Sequence, residues 1–249
     1  MLVIIRHLLS GMCLLLPSMV ANAQTTEMPV KKTGISLNLE TRQQDYDLTS
    51  LSFSHPALTP LANVKERIAA SSDVQSATLK LDRWLTPNIN LFGSVGKMTG
   101  EGTAKLPVLP GLNLPDVRID ADGSIYSLGG TAVARKDQYF STITYTFTRY
   151  KADAFEETNT FQSLMPMAGV TTPVGAFSLA LRYQQGDGNY VGKTTTPFGE
   201  VTANIGLKDK HATSWQAGYY ARLGNDLSLR TSAELGGREG FRLELNRRF

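Results

Sequence analysis

Apolar and polar residues alternate with a period of two along most of the chain, the spacing of strands with one apolar and one polar face. Thr213–Arg222 sets Trp215, Ala217, Tyr219 and Ala221 against Ser214, Gln216, Gly218, Tyr220 and Arg222. Ser228–Leu235 sets Leu229, Thr231, Ala233 and Leu235 against Ser228, Arg230, Ser232 and Glu234, and Gly224-Asn225-Asp226 between the two reads as a hairpin turn. The same alternation predicts strands over Gly34–Arg42, Gln75–Leu85, Ile89–Thr99, Ser124–Arg135, Ser141–Tyr150, Pro173–Gln184 and Val201–Lys208. Two weaker segments join them: Thr158–Val170, which holds Pro166, and the short, Thr-rich Asn189–Thr195. The last segment runs from Phe241 to Phe249, with Phe241, Leu243, Leu245 and Phe249 on one face and Arg242, Glu244, Asn246 and Arg248 on the other.

Counting every segment predicts twelve strands, with ten as the alternative if both weak ones are dropped. Long connections (43–73, 100–122, 151–158) then alternate with short ones (86–88, 136–138, 171–173, 196–199, 224–226). Strands of about ten residues with short turns at one end and long loops at the other suit an all-β, antiparallel, up-and-down transmembrane barrel. A soluble β-sandwich is the rival reading, and it predicts neither the alternation of loop lengths nor apolar faces all the way round. A final strand that ends in Phe249 resembles bacterial outer-membrane β-barrel proteins. The resemblance implies that Phe249 is an assembly signal read by the barrel assembly machinery, and that the chain lies among outer-membrane lipids and lipopolysaccharide.

The start of the chain fits that location. Met1–Ala23 has one charge, Arg6, an apolar run from Leu8 to Val20, and Ala21-Asn22-Ala23 before Gln24, which reads as a secretory signal peptide with an A-x-A cleavage site. Residues 24–249 are then one barrel domain. Cys13 is the one cysteine, so nothing after the leader can form a disulfide. The chain has 25 basic and 22 acidic side chains; the leader removes one base, leaving 24 against 22. This near-balance excludes the usual nucleic-acid binder. Mean hydropathy of −0.16 does not separate a soluble protein from a barrel, whose strands are apolar only at alternate positions.

If the apolar faces meet lipid, the lumen receives Lys80, Asp82, Arg182, Lys208, Arg222, Arg230, Glu234, Arg242, Glu244 and Arg248. One reading is an arginine ladder that selects anions. The other is that Arg230, Glu234, Arg242 and Glu244 pair across strands and fill the lumen. Lys105–Ile119 is an apolar loop with three prolines, a candidate constriction, lipid contact or docking site, or a loop packed on its neighbours. Residues 59–72 read as a short helix capped by Thr59 with Pro60 in its first turn.

Chemistry has few candidates. After the leader, the histidines are His55 and His211, neither on a predicted strand beside a serine, so an outer-membrane lipid hydrolase ranks third. Asp120-Ala-Asp122-Gly-Ser124 has the start of a calcium-loop spacing without the later ligands, and reads as a turn that opens a strand. No catalytic, cofactor or metal residue is assigned and no cofactor is expected. The leading expectation is a porin-like channel for small solutes, with anions as a candidate class. The alternative is a non-conducting barrel that works through its outer loops, in adhesion or virulence.

Overall fold

The computed structural model describes residues 31–58, 66–106, 116–152, 158–196 and 199–249. The expected signal peptide and the centre of the apolar loop lie outside these residues. The strands are β1 (Thr33–Phe53), β2 (Ala69–Thr86), β3 (Ile89–Lys105), β4 (Val117–Asp120), β5 (Gly123–Lys136), β6 (Tyr139–Ala152), β7 (Thr158–Thr172), β8 (Gly175–Thr196), β9 (Gly199–Asp209), β10 (Thr213–Arg222), β11 (Leu227–Gly236) and β12 (Arg238–Arg248). All pairings are antiparallel, and β12 closes on β1 from Gly34↔Arg248 to Gln44↔Arg238. The architecture is that of a closed antiparallel β-barrel with an apolar outer face.

Twelve segments make ten circuits of the wall. The closed ring runs β1, β2, β3, β5, β6, β7, β8, β10, β11, β12 and back to β1. The twelve-strand count is therefore corrected to ten for the ring, because Pro173–Gln184 and Asn189–Thr195 belong to one continuous β8, and Val201–Lys208 is β9, which lies above the ring. β4 and β5 together form one descending path, interrupted at 121–122, and both pair with β3. β9 and β10 do the same beside β8, interrupted at 210–212. The short β8–β9 turn consequently lies at the far end of the molecule, not with the other short turns.

These interruptions change the number of strands along the axis. Above the ring, β4 bridges to β8 through Arg118↔Lys193, and β9 pairs with both β8 and the outer part of β1. Ten strands thus narrow to six: β1, β2, β3, β4, β8 and β9. At roughly 3.3 Å per residue and a 40° tilt, the 21-residue β1 rises about 50 Å, whereas ten-residue β10 and β11 rise about 25 Å, the height of the apolar band.

Polarity reverses where the ring gives way to this extension. In the ring, Leu37, Leu39, Leu79, Leu81, Leu91, Val95, Leu128 and Leu179 are exposed on the outside, while Ser36, Gln44, Asp82, Asn90 and Ser214 are buried inside. Further along the same inward face of β1 come Leu48 and Leu51, both buried, with Thr49, Ser50 and Ser52 exposed outside. A bulge between Leu48 and Ser50 shifts the register so that Leu48 and Leu51 both face inward, opposite Leu207 and Ile205. Gly206 sits against this bulge, where any side chain would run into Thr49 and Ser50. The extension is filled by one apolar core, including Leu58, Ala104, Val117, Val201, Ala203 and Ile205. It is a small apolar-cored barrel seated on a wider one with a polar interior.

The long connections are corrected accordingly. Most of 43–53 and 69–73 is strand, so the expected helix over 59–72 gives way to β2 from Ala69, while 59–65 lie outside the described residues. The described ends of the apolar loop, Leu106, Val117 and Ile119, are buried in the cap core, as a loop packed on its neighbours would be. In the acidic turn, Asp120 accepts the Asp122 amide at 2.8 Å and Asp122 accepts the Gly100 amide at 3.1 Å, which fixes the step from β4 to β5.

Candidate functional site

The barrel interior gathers nearly all the charge that the alternation sends inward, and it is layered along the axis. Beside the short turns, Asp82 accepts hydrogen bonds from Arg248 Nη2 at 2.6 Å and Asn90 Nδ2 at 2.8 Å, and the Arg248 guanidinium lies 5.9 Å from the Trp84 ring centre. Asn246 donates to Ser36 Oγ at 2.7 Å in the same layer. Above it, Lys80 meets Glu244 at 2.5 Å and lies 5.8 Å from the Phe92 ring centre. Arg242 then grips Glu40 Oε2 with Nη2 at 2.5 Å and Nε at 3.0 Å. Arg182 faces Glu234 at 3.3 Å, and Ser214 donates to the same carboxylate.

The uppermost layer closes the lumen under the cap. Arg238, whose side chain is fully buried, reaches Asp209 with Nη2 at 3.1 Å and donates from Nε to Gln44 at 2.9 Å. Gln44 and Gln184 also donate to Asp209. Burial holds the Asp209 carboxyl above the ordinary carboxylate range, against the opposing pull of Arg238 and the Gln44 hydrogen bond. Immediately above come Leu48, Leu207 and the rest of the cap core.

Among the described residues the opposite wall carries no charge pairs of this kind. On β5, β6 and β7 the inward positions include Ser127, Thr131, Thr142, Thr144, Thr146, Thr148, Ser163, Met165 and Met167. Ser127 bonds Thr148 and Thr131 bonds Thr144, each at 3.0 Å. Inward aromatic rings pack against glycines of the neighbouring strand: Phe92 on Gly129, Phe140 on Gly169 and Phe161 on Gly186. A Cβ on Gly129 would strike the Phe92 ring and the Tyr145 carbonyl, so this wall needs glycine at that position. The lumen therefore has one wall of ion pairs and one of hydroxyls and rings, the latter carrying Arg135 at its short-turn end.

Of the lumen residues read from the sequence, seven lie in ion pairs: Lys80 with Glu244, Asp82 with Arg248, Arg182 with Glu234, and Arg242 with a residue outside that set, Glu40. Arg230 stands opposite Glu244 in the β11–β12 register and is exposed. Arg222 is exposed at the short-turn end. Lys208 was expected in the lumen and is instead exposed on the outside, because the inward face of β9 is the apolar row Val201, Ala203, Ile205 and Leu207. Glu40, Arg42, Gln44, Asp209 and Arg238 were not read as lumen residues. Glu40 and Arg42 continue the even-numbered polar face of the first strand, so their signal was present. Asp209 and Arg238 sit where the pattern reads as turns.

Phe249 is exposed, and its amide donates to the Thr33 carbonyl at 3.0 Å, so it extends the β12–β1 seam. The histidines occupy separate places. His55 follows β1 and accepts the Ala57 amide at 3.2 Å, whereas His211 lies in the β9–β10 connection against Gly237. Since Phe53 pairs with Ala203 and Tyr46 with Asp209, the strand rise puts roughly 20 Å or more between them. Among the described residues no group of His, Cys, Asp and Glu has a metal-binding arrangement.

No family model matches the chain, and no curated protein matches it. Among solved structures it is similar to the outer membrane protease OmpT from Escherichia coli, at 10% identity and a TM-score of 0.47 over 90% of this chain and 100% of that one. It is similar also to the translocator domain of the autotransporter NalP from Neisseria meningitidis, at 14% identity, TM-score 0.42 and 96% of each chain. The toluene transporter TbuX of Ralstonia pickettii matches at 10% identity, TM-score 0.37 and 93% of each chain.

Proposed function

We propose that the chain is a closed outer-membrane barrel that works through its outward-reaching cap, as a surface-contact or structural protein and not as a standing pore. The observation that carries this reading is the dry core on the axis. Val117 and Ala203 have no solvent exposure and Leu58, Ala104, Val201 and Ile205 about 1%, directly above a lumen whose carboxylates are each held by a basic side chain. A hydrated ion crossing along the axis would have to displace both the ionic layers and the apolar plug, and stripping charge into such a core is strongly unfavourable.

Refolded full-length protein in a planar bilayer tests this. The expected outcome is no steady conductance over the usual voltage range. Stable ohmic steps would overturn the closed-barrel reading.

The second reading is the porin-like passage of small solutes, anions among them. It is favoured by one observation, that Arg230 is exposed toward a lumen whose far wall is lined with hydroxyls and carries no carboxylate among the inward positions of β5, β6 and β7. On that reading a reversal potential in a salt gradient shows anion preference that disappears with Arg230→Ala and Arg222→Ala.

A further inference from the structure

The outside of the barrel is not uniform around its circumference. Four outward-facing rows cross β3, β5 and β6 at the outer edge of the lipid-facing band, aligned by register. From the top they are Lys97–Ser124–Lys151, Val95–Tyr126–Arg149, Gly93–Leu128–Phe147 and Leu91–Gly130–Tyr145. The two upper rows hold three exposed cations, Lys97, Arg149 and Lys151. Adjacent strands lie about 4.8 Å apart, so Lys97 and Lys151 flank Ser124 at a backbone separation of about 10 Å, with Arg149 one row below. That spacing suits flexible side chains converging on one polyanionic group.

The two lower rows are apolar and contain a depression. Gly93 and Gly130 have no side chain there, while Leu81, Leu91 and Leu128 stand out around them at 57%, 47% and 68% exposure. They border an open groove of about 350 Å³ over Gly93. Gly93 is four residues below Lys97 on the same strand, about 13 Å away. A basic cluster thus sits directly above an apolar groove, on one tilted track of the wall.

An acidic row passes above this cluster. Glu239, Gln43, Asp73, Glu101 and Asp120 lie along it across β12, β1, β2, β3 and β4, and Gln43 donates to Asp73 at 2.9 Å. Glu101 is four residues up from Lys97 and Asp120 four up from Ser124, and Asp122 accepts the Gly100 amide in the same region. The bases therefore line the lower, lipid-facing edge of the acidic row, and an anionic headgroup is attracted below it and repelled above. In the Arg149 row the nearest acidic residue, Asp187, lies two strands further on.

We propose that the outward face of β3, β5 and β6 is a binding site for a phosphorylated, multiply acylated glycolipid of the outer leaflet, with its phosphates on Lys97, Arg149 and Lys151 and an acyl chain in the groove over Gly93. Tyr126, between cluster and groove, packs at the boundary of headgroup and chain, where aromatic rings are favoured. Basic side chains at a membrane surface each contribute to anionic headgroup binding, and clusters add up.

Native mass spectrometry of the full chain released from detergent tests the site, with bisphosphorylated lipid A, its dephosphorylated counterpart and phosphatidylglycerol as probes. Bisphosphorylated lipid A is expected to be retained in preference to the other two. Its affinity should fall roughly 100-fold in Lys97→Gln/Arg149→Gln/Lys151→Gln. Gly93→Leu, which fills the groove and spares the charges, should weaken it by a smaller factor. Lys136→Gln/Arg247→Gln removes two exposed cations at the short-turn rim, away from the groove, and should leave binding unchanged. Heat-modifiable gel mobility verifies that each variant is folded. Equal retention by the triple variant, an equal loss in the Lys136/Arg247 control, or retention of phosphatidylglycerol as strong as that of lipid A would each overturn the proposal.

Discussion

The Arg182–Glu234 pair shows what charge does inside this barrel. Its side chains are only 8% and 7% exposed, and Glu234 is bonded by Ser214 as well. A buried pair of this kind adds little net stability compared with apolar residues of the same volume, but breaking it leaves a desolvated charge without its partner. Glu234→Gln is therefore expected to destabilise the protein by about 3 kcal/mol, read from urea-dependent unfolding in lipid vesicles. The double replacement Arg182→Met/Glu234→Leu should recover most of that loss. If Glu234→Gln alone leaves the unfolding midpoint unchanged, the pair is hydrated and the lumen is wetter than the packing implies. Pairing of this kind neutralises part of the arginine-rich face, although the lumen bases outnumber the lumen carboxylates. Glu40, on a strand distant in sequence, answers Arg242.

At the scale of the element, Pro166 marks a weak seam. It faces outward on β7, and the β7–β8 register passes from Leu164↔Tyr183 to Met167↔Ala180 with no paired residues between them. Proline has no amide hydrogen, so the ladder loses a bond in the middle of a ring strand. On the other side β6 remains paired through Ile143↔Pro166, which holds the strand in the wall. Pro166→Val should restore a bond and raise stability by about 1 kcal/mol. Hydrogen exchange gives the local readout: the Leu181 and Arg182 amides should exchange faster than their neighbours in the native chain and slow down in the variant. Exchange at the same rate in both would show that proline is not what opens the seam. Alternation was strong enough to identify this segment as a strand, since Leu164, Ala168 and Val170 share its outer face. It did not reveal the β3–β4 and β8–β9 arrangement, because a strand that changes partners halfway keeps the same period throughout.

The whole molecule depends on the change from ten strands to six. The cap is held by an apolar core of its own and joined to the ring by the Arg238–Asp209–Gln44 layer. Two cooperative units stacked on shared strands are expected, and a charge buried in one should leave the other standing. Ile205→Asp places an unpaired carboxylate in the cap core and should cost about 4 kcal/mol there. Limited proteolysis of protein in vesicles should then cut within the cap strands, while the ring keeps its heat-modifiable mobility. Loss of that mobility as well would show that cap and ring fold as one unit.

The sequence by itself determined the class of structure. Period-two alternation, strand lengths near ten residues and turn residues between them lead to a β-barrel wall in which each strand has one apolar and one polar face. Those features are local: side-chain direction in a strand follows from its own backbone. Only the tertiary structure decided which charges meet, because Glu40 and Arg242, or Asp209 and Arg238, become neighbours through ring closure between distant segments. It also decided which environment an apolar face meets. Leu37 and Leu48 lie on opposite faces of one strand, the first toward lipid and the second in a dry core, and Val201–Leu207 alternates as a lipid-facing strand would. An apolar row is satisfied equally by acyl chains or by other side chains, so its partner is set by where β9 crosses to β1.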